Sequence, residues 1–352
     1  MQLRTIGRTT VTVSLLGFGA SGIGNLYRAM SDEAGEAVIN AAIGAGIRYV
    51  DTAPRYGHGL SERRLGTVCN TVPKQDVTLS TKVGRRLTPI LPPPPGTSRH
   101  GFVDADPFEE HFDYSYDGVM RSFEDSLRRL QRESIDILFA HDLGRMTHGT
   151  DHQRHLSAFL SGGYRAMCEL RSDGRVGAIG LGVNEWEICA DVMRDADLDV
   201  VMLAGRYTLL EQAPLDHFLP ECKRRGVSVI AAAPFNSGIL ATGASGPKIG
   251  HYNYDAPPPG IIERVRRIEA IARAHDVPLA AAALQFPLGH PVVASVVSGM
   301  SGRSQVLATV RLLETSIPAG FWADLISEGL MRDDVPAPIH MASASKDRPN
   351  SL

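Results

Sequence analysis

The residues best suited to chemistry lie in one stretch, Asp51 to Gly66, which reads DTAPRYGHGLSERRLG. It follows the apolar run Ile47-Arg48-Tyr49-Val50 and places a carboxylate, Asp51, and a phenol, Tyr56, at the exit of one strand. Later apolar runs also end in single polar groups: Lys82, His141 and Asn184. A tyrosine hydroxyl ordinarily titrates near ~10, too high to shuttle a proton at neutral pH. A lysine cation beside it stabilises the phenolate, and an aspartate keeps that lysine placed and charged. A histidine at the next strand end can orient or polarise a substrate oxygen. Asp51, Tyr56, Lys82 and His141 therefore form a candidate proton-transfer set, with hydride transfer left to a bound nicotinamide and no metal required. Taken singly, each has a plainer reading as a helix cap, a solvated lysine or a histidine satisfied by a carbonyl. Four such types at successive strand ends, one of them a lysine closing an apolar strand, are not explained by those separate readings.

Strand-like runs at Val13–Phe18, Tyr49–Val50, Val77–Thr81, Ile135–Ala140, Val176–Leu181, Val200–Leu203, Val227–Ala232 and Val292–Val297 make eight nearly continuous apolar segments. Between them lie amphipathic segments: Ser31 to Ala45 with Ser31 as N-cap, Glu62–Asn70, Asp117–Arg132, Tyr164–Ser172, Trp186–Arg194, Leu215–Arg225, and the pair Ile261–Ala274 and Leu279–Phe286. Strands apolar on both faces, each followed by a helix, are parallel strands joined by crossovers. Eight such units favour a closed (β/α)8 TIM barrel, in which all strand carboxyl ends face one mouth. That geometry would bring Asp51, Lys82, His141 and Asn184 together. Residues 2 to 14 read as a capping β-hairpin around Gly7-Arg8-Thr9, and Ser61 and Glu62 as cap and first turn of the helix that follows the motif.

The barrel is expected over residues 1–332, with insertions at 84–116 and 241–260 long enough to bind or cover something, and a Pro- and Ser-rich tail at 333–352 expected to be disordered. With 36 basic against 39 acidic residues, a net charge of -3, the chain has no basic excess for nucleic acid or anionic membranes. The four cysteines, Cys69, Cys168, Cys189 and Cys222, form no CxxC pair and read as reduced core thiols. With no apolar leader and no long apolar run, the chain is expected to be cytoplasmic with a small-molecule substrate; oligomeric state leaves no signal. Gly17-Phe-Gly19-Ala-Ser-Gly22 matches the GxGxxG fingerprint, but no helix opens on its third glycine. These glycines instead let the backbone pass close to a ligand, which makes Gly19 a candidate contact.

DTAxxYGxGxSExxLG at 51–66, Thr81-Lys82, the strand ending at His141 and Gly182-Val183-Asn184 together resemble the aldo-keto reductase family, over roughly residues 2 to 330. The resemblance implies a (β/α)8 barrel, a nicotinamide cofactor and a catalytic tetrad of Asp51, Tyr56, Lys82 and His141. It implies that Asn184 binds the nicotinamide carboxamide, and that the strand exits holding Tyr207 and Pro234, Asn236, Gly238 and Leu240 supply further cofactor contacts. Ser298, Gly299, Met300 and Ser301, with Gln305 and Thr309 on the following helix, resemble the adenosine-end site. Many NADP-preferring members carry a basic residue near Ser301 and Asn where Thr309 stands, so the resemblance favours NAD, with NADP possible through Arg303. The aromatic that often covers the nicotinamide is replaced here by Ala231-Ala232-Ala233. Within the family the AGRYTLLEQ segment and the long insertion after Lys82 are most similar to the aldose 1-dehydrogenase, L-fucose dehydrogenase and pyridoxal 4-dehydrogenase branch. This implies oxidation of a sugar hemiacetal at C1 to a lactone, with Tyr56 as general acid/base. Alternatives are oxidation of pyridoxal, also a cyclic hemiacetal, and general aldehyde or ketone reduction. Phe102, Phe112, Tyr114 and Tyr116 of the insertion are candidates to stack on a substrate ring. A non-catalytic cofactor-binding sensor is the reading from another class, and the intact tetrad argues against it.

Overall fold

A computed structural model describes residues 1–247 and 249–336. Eight parallel strands close into a barrel in chain order: Leu16–Gly19, Tyr49–Asp51, Thr78–Val83, Ile135–His141, Val176–Val183, Val200–Ala204, Ser228–Ala232 and Val293–Gly299, the last pairing with the first. The apolar runs set these strands because both strand faces are buried, the inner against the barrel core and the outer against helices. The main outer layer holds residues such as Phe123, Leu127, Leu170 and Leu219. A second, smaller cluster fills the barrel itself: Tyr49, Ile137, Phe139, Ala178, Met202, Ile230 and Val297, closed below by Ile6 and Val13.

The expected N-terminal run splits. Thr12–Ser14 pairs antiparallel with Leu3–Thr5, forming the cap, and a separate barrel strand begins at Leu16. Ser14 marks the break: its hydroxyl donates to Leu16 O (2.6 Å) and accepts from the Arg48 and Tyr49 amides (3.0 and 3.1 Å). Ser31 caps the helix Asp32–Gly44 by accepting from Ala34 N (3.2 Å). The helix after the motif runs Leu60–Cys69 with Gly59 at its cap, so Ser61 is not the cap. Ser61 lies inside the first turn and donates to Ala20 O (2.9 Å), and the fully buried Glu62 accepts from Thr81 (2.6 Å) and Arg129 (2.7 Å).

The insertion at 84–116 is not an irregular loop but a hairpin, Arg85–Pro89 against Phe108–Phe112, with a two-residue pair, Ser98–Arg99 and Phe102–Val103, at its tip. Its prolines and charges hid the pairing. The helix at Tyr164–Ser172 is extended backwards by His152–Ala158 through a π turn at Phe159–Gly163, and two further helices follow the last strand, Arg303–Glu314 and Ala319–Ser327. Among the described residues no helix is long and apolar enough to cross a membrane. The greater part of the expected disordered tail, from residue 337 on, lies outside the described residues.

Candidate active site

Strand periodicity positions the candidate catalytic side chains. Tyr49, Ser80 and Phe139 are buried on the inner face, and two residues further along the same strands stand Asp51, Lys82 and His141. A period of two therefore places these three in the next layer up, at the carboxyl mouth. Register confirms the level, with Asp51 opposite Ser80, Lys82 opposite Phe139, and His141 opposite Gly182.

Lys82 Nζ donates to both Asp51 oxygens (2.8 and 2.7 Å) and to Thr52 O (2.8 Å), and lies 3.3 Å from Tyr56 Oη. Asp51 also accepts from Ser80 (2.7 Å). At 2% exposure each, Asp51 and Lys82 form a buried ion pair whose remaining valences are filled, the condition for keeping charge inside a protein. Burial works against the Lys82 cation, but Asp51 and Tyr56 outweigh it, so its pKa is raised and the charge is held. For Tyr56 the outcome differs from the expectation of a lowered value. Burial pushes the phenol up, and Lys82 opposes this without overcoming it, partly because the Asp51 charge stands behind the lysine. Tyr56 is thus a neutral phenol at rest.

The His141 ring meets Tyr56 edge-on, 6.2 Å between centroids. Burial holds its pKa well below the usual histidine value, so it is neutral and has one N–H to offer. Its Nδ1 has no hydrogen-bond partner among the described residues. Its Nε2 lies 3.4 Å from Asp142 Oδ2.

Sequence reasoning missed the ion network beside these residues. Asp142 accepts from Arg85 (2.7 Å) and from Asn184 Nδ2 (3.1 Å), Arg85 reaches Glu110 (3.1 Å), and Glu110 also binds Arg55, the residue before Tyr56. Arg85 and Glu110 come from the two strands of the insertion hairpin, so the insertion is tied to the catalytic layer by buried charges. A faint signal was present: Asp142 directly follows His141, and Arg55 lies within the first motif.

A cavity of about 490 Å³ opens above the tetrad and runs past Gly182, Asn184, Ala204 and Ala232 to Ser298, Gly299 and Gln305. Gly19, Pro234 and Gly238 also line it. Six expected cofactor contacts do not. Tyr207 is buried against Phe286 and His290, its ring 5.3 Å from that of Phe286, because the chain turns inward after the sixth strand. Leu240 and Met300 belong to the core, and Thr309 is buried on its helix with its hydroxyl on Gln305 O (2.9 Å). Asn236 donates to Gly205 O (3.1 Å) and accepts from Thr208 (2.5 Å), bracing a turn in which Ala233, Asn236 and Ser237 all have positive φ. Ser301 reaches the cavity only through Gln305, whose Oε1 accepts from its amide (2.9 Å). Besides Tyr56, His141 and His251, the rings that line the cavity are Tyr27, Phe235 and Tyr254 rather than those of the 84–116 insertion. Phe102 packs on Tyr56 (6.3 Å), but Phe112 and Tyr114 stack together with His148, and Tyr116 bonds Glu169.

A parallel barrel with a lysine–aspartate pair against a phenol, a neutral histidine beside it and a long cleft at the strand ends defines an oxidoreductase site of the nicotinamide type. The model of the aldo/keto reductase family matches residues 15–327, and the chain belongs to that family. It is similar to the pyridoxal 4-dehydrogenase of Microbacterium luteolum, 45% identical over 94% of this chain and 98% of the relative, and to the D-threo-aldose 1-dehydrogenase of a Pseudomonas species, 41% identical over 91% and 95%. Among solved structures it resembles an aldo-keto reductase of Bacillus halodurans in its holo form, with a TM-score of 0.72 at 25% identity, covering 95% of this chain and 98% of that one. The protein is an NAD(P)-dependent oxidoreductase.

The residues present fit a dinucleotide. Small residues keep the cleft open: a side chain at Gly19 would come within 3.1 Å of Ser298 O, and one at Gly182 would press on Lys82 Cε at 3.3 Å. Asn184, Ser298 and Gln305 offer polar groups along its length. When bound, the nicotinamide exchanges a hydride with the substrate carbon.

Proposed function

We propose that this enzyme oxidises a cyclic hemiacetal at its anomeric carbon to a lactone, with an aldose as the preferred substrate and NAD as the preferred cofactor. The observation that carries the sugar reading is the wall beside Tyr56 and His141, where Arg55 and Asp142 line the cavity in place of apolar side chains. Arg55 gives one N–H to Glu110 and keeps others for substrate hydroxyls. In the oxidation, the anomeric O–H is held between Tyr56 Oη and His141 Nε2. Its proton passes to Tyr56 after that phenol has ionised, the C–H pair of electrons leaves as hydride, and the C=O of the lactone forms. The similarity to an aldose 1-dehydrogenase supports the same reaction.

The second reading, pyridoxal, shares the reacting group. It is favoured by the rings of Tyr27, Phe235 and Tyr254 along the cavity and by the similarity to a pyridoxal 4-dehydrogenase. For the cofactor, Ser301 supplies no cation, and Arg303 lines a separate groove with Ala37, Asn40 and Leu307. This arrangement supports NAD over NADP. Initial rates with L-fucose, L-galactose, D-arabinose and pyridoxal, each with NAD and NADP, test both statements. Turnover of pyridoxal alone would replace the sugar reading, and tighter NADP than NAD in a fluorescence titration would overturn the cofactor preference.

A further inference from the structure

We propose that Asp142 determines specificity by accepting a hydrogen bond from the hydroxyl on the carbon next to the reacting one, so that the enzyme selects a hemiacetal bearing a neutral neighbouring hydroxyl.

The inference rests on the hemiacetal reading above and deepens it. Asp142 lines the catalytic cavity, and its Oδ2 lies 3.4 Å from His141 Nε2, one of the two groups that hold the reacting oxygen. Adjacent oxygens on a sugar ring stand roughly a hydrogen-bond length apart, so an oxygen placed on His141 sets its neighbour within reach of Asp142. The carboxylate is poorly supplied for a buried group. It accepts one bond from Arg85 on Oδ2 and one from Asn184 on Oδ1, whereas a carboxylate offers about four acceptor directions. Leaving buried acceptor capacity facing a cavity disfavours an empty site and favours a donor ligand.

Backbone and charge point the same way. Asp142 holds φ at +51°, a conformation costly for a side-chain-bearing residue and found where the surroundings over-determine a functional position. It is fixed from three sides, by Arg85 of the insertion, by Asn184 at the next strand end and by Tyr114, whose hydroxyl donates to the carbonyls of His141 (2.6 Å) and Asp142 (3.2 Å). The chemistry separates the two substrate classes. An aldose presents a neutral C2 hydroxyl, a donor, beside its anomeric carbon. Pyridoxal has no hydroxyl on the carbon bonded to its hemiacetal carbon; its phenolic oxygen stands one carbon further along the ring and ionises readily, and an oxyanion brought near Asp142 is repelled.

The experiment compares kcat/KM for L-fucose, L-galactose and D-arabinose with that for each 2-deoxy analogue, in the unmodified enzyme and in Asp142→Asn. The unmodified enzyme is expected to prefer the parent sugar by at least about tenfold, the scale of one hydrogen bond to a charged group. In Asp142→Asn the ratio should collapse toward unity because the parent sugar loses most. A merely structural role would lower both sugars together and leave the ratio intact, which overturns the proposal while the hemiacetal reading stands. Equal use of parent and 2-deoxy sugars by the unmodified enzyme overturns it without any variant. If Asp142→Asn does not fold, Asp142→Glu, which keeps the charge but displaces it, must still reduce the ratio. Absence of turnover with every aldose removes the hemiacetal sugar reading and this proposal with it.

Discussion

The two ends of the barrel interior use the same strands for opposite purposes. In the lower layer Tyr49, Ile137, Phe139, Ala178, Met202 and Ile230 fill the space, and Ile6 and Val13 of the hairpin seal it. One strand repeat higher, the layer holds Asp51, Lys82 and His141, with glycine or alanine at positions 182, 204 and 232. The lower layer is stabilised by non-directional burial, so its residues tolerate exchange for others of similar volume. The upper layer is stabilised by directional pairing: a buried lysine is acceptable there only because Asp51, Thr52 O and Tyr56 surround its ammonium. The insertion extends this upper scheme outward, carrying charge from Arg85 and Glu110 to Asp142 and Arg55.

Substitutions can break this contrast. The largest effect is expected from Tyr56→Phe, which should lower kcat for sugar oxidation by about 10²–10⁴ in steady-state assays while NAD affinity stays the same; normal turnover would rule Tyr56 out as the acid/base. In the lower layer, Ile137→Ala should cost about 2–5 kcal/mol in denaturant unfolding. Its KM should remain near the parent value. If activity fell as steeply as stability, the two layers would not be separable.

Acid should distinguish the ends as well. Folding lowers the pKa of His141 well below its usual value, and those of His148 and His290 to about 4, in each case chiefly through burial. The unfolded chain therefore binds more protons, so the stabilising contribution is full above about pH 6.5 and is lost as pH falls below it. Thermal melts from pH 7.5 to 5 should show this decline, with a shallower slope for His141→Gln and the full slope retained by Ile137→Ala. In the catalytic direction the sign reverses with Tyr56. Because its pKa is raised, kcat/KM for oxidation should climb with pH through the alkaline range as the phenolate fraction grows. A smaller effect, about 1–3 kcal/mol in stability, is expected from Glu62→Gln, which weakens the clamp between Thr81 and Arg129.

Much of this architecture was legible in the chain. Eight apolar runs separated by amphipathic segments specify parallel strands and crossovers, because a strand hydrophobic on both faces has no other stable setting. The DTAxxYGxGxSExxLG motif marked Asp51 and Tyr56, and the polar residues closing the third and fourth runs marked Lys82 and His141. The insertion pairing was hidden because five prolines lie at Pro89 and Pro92–Pro95 and the strand faces alternate irregularly. For Tyr207, Leu240 and Met300 the family resemblance implies cofactor contacts, whereas their side chains are buried away from the cavity lining, because a motif does not tell which way a side chain turns when the strand ends.

The sequence by itself determined the barrel, the class of reaction and the four candidate groups, Asp51, Tyr56, Lys82 and His141, that meet at its mouth, since periodicity and residue type carry that information locally. Tertiary structure alone decided the remainder. It showed that burial outweighs Lys82 in setting the Tyr56 phenol, that Arg303 turns away from the cleft, and that Asp142 stands beside His141 held by Arg85 and Asn184. Each depends on distances and desolvation between segments far apart in the chain, and these are fixed only when the barrel closes.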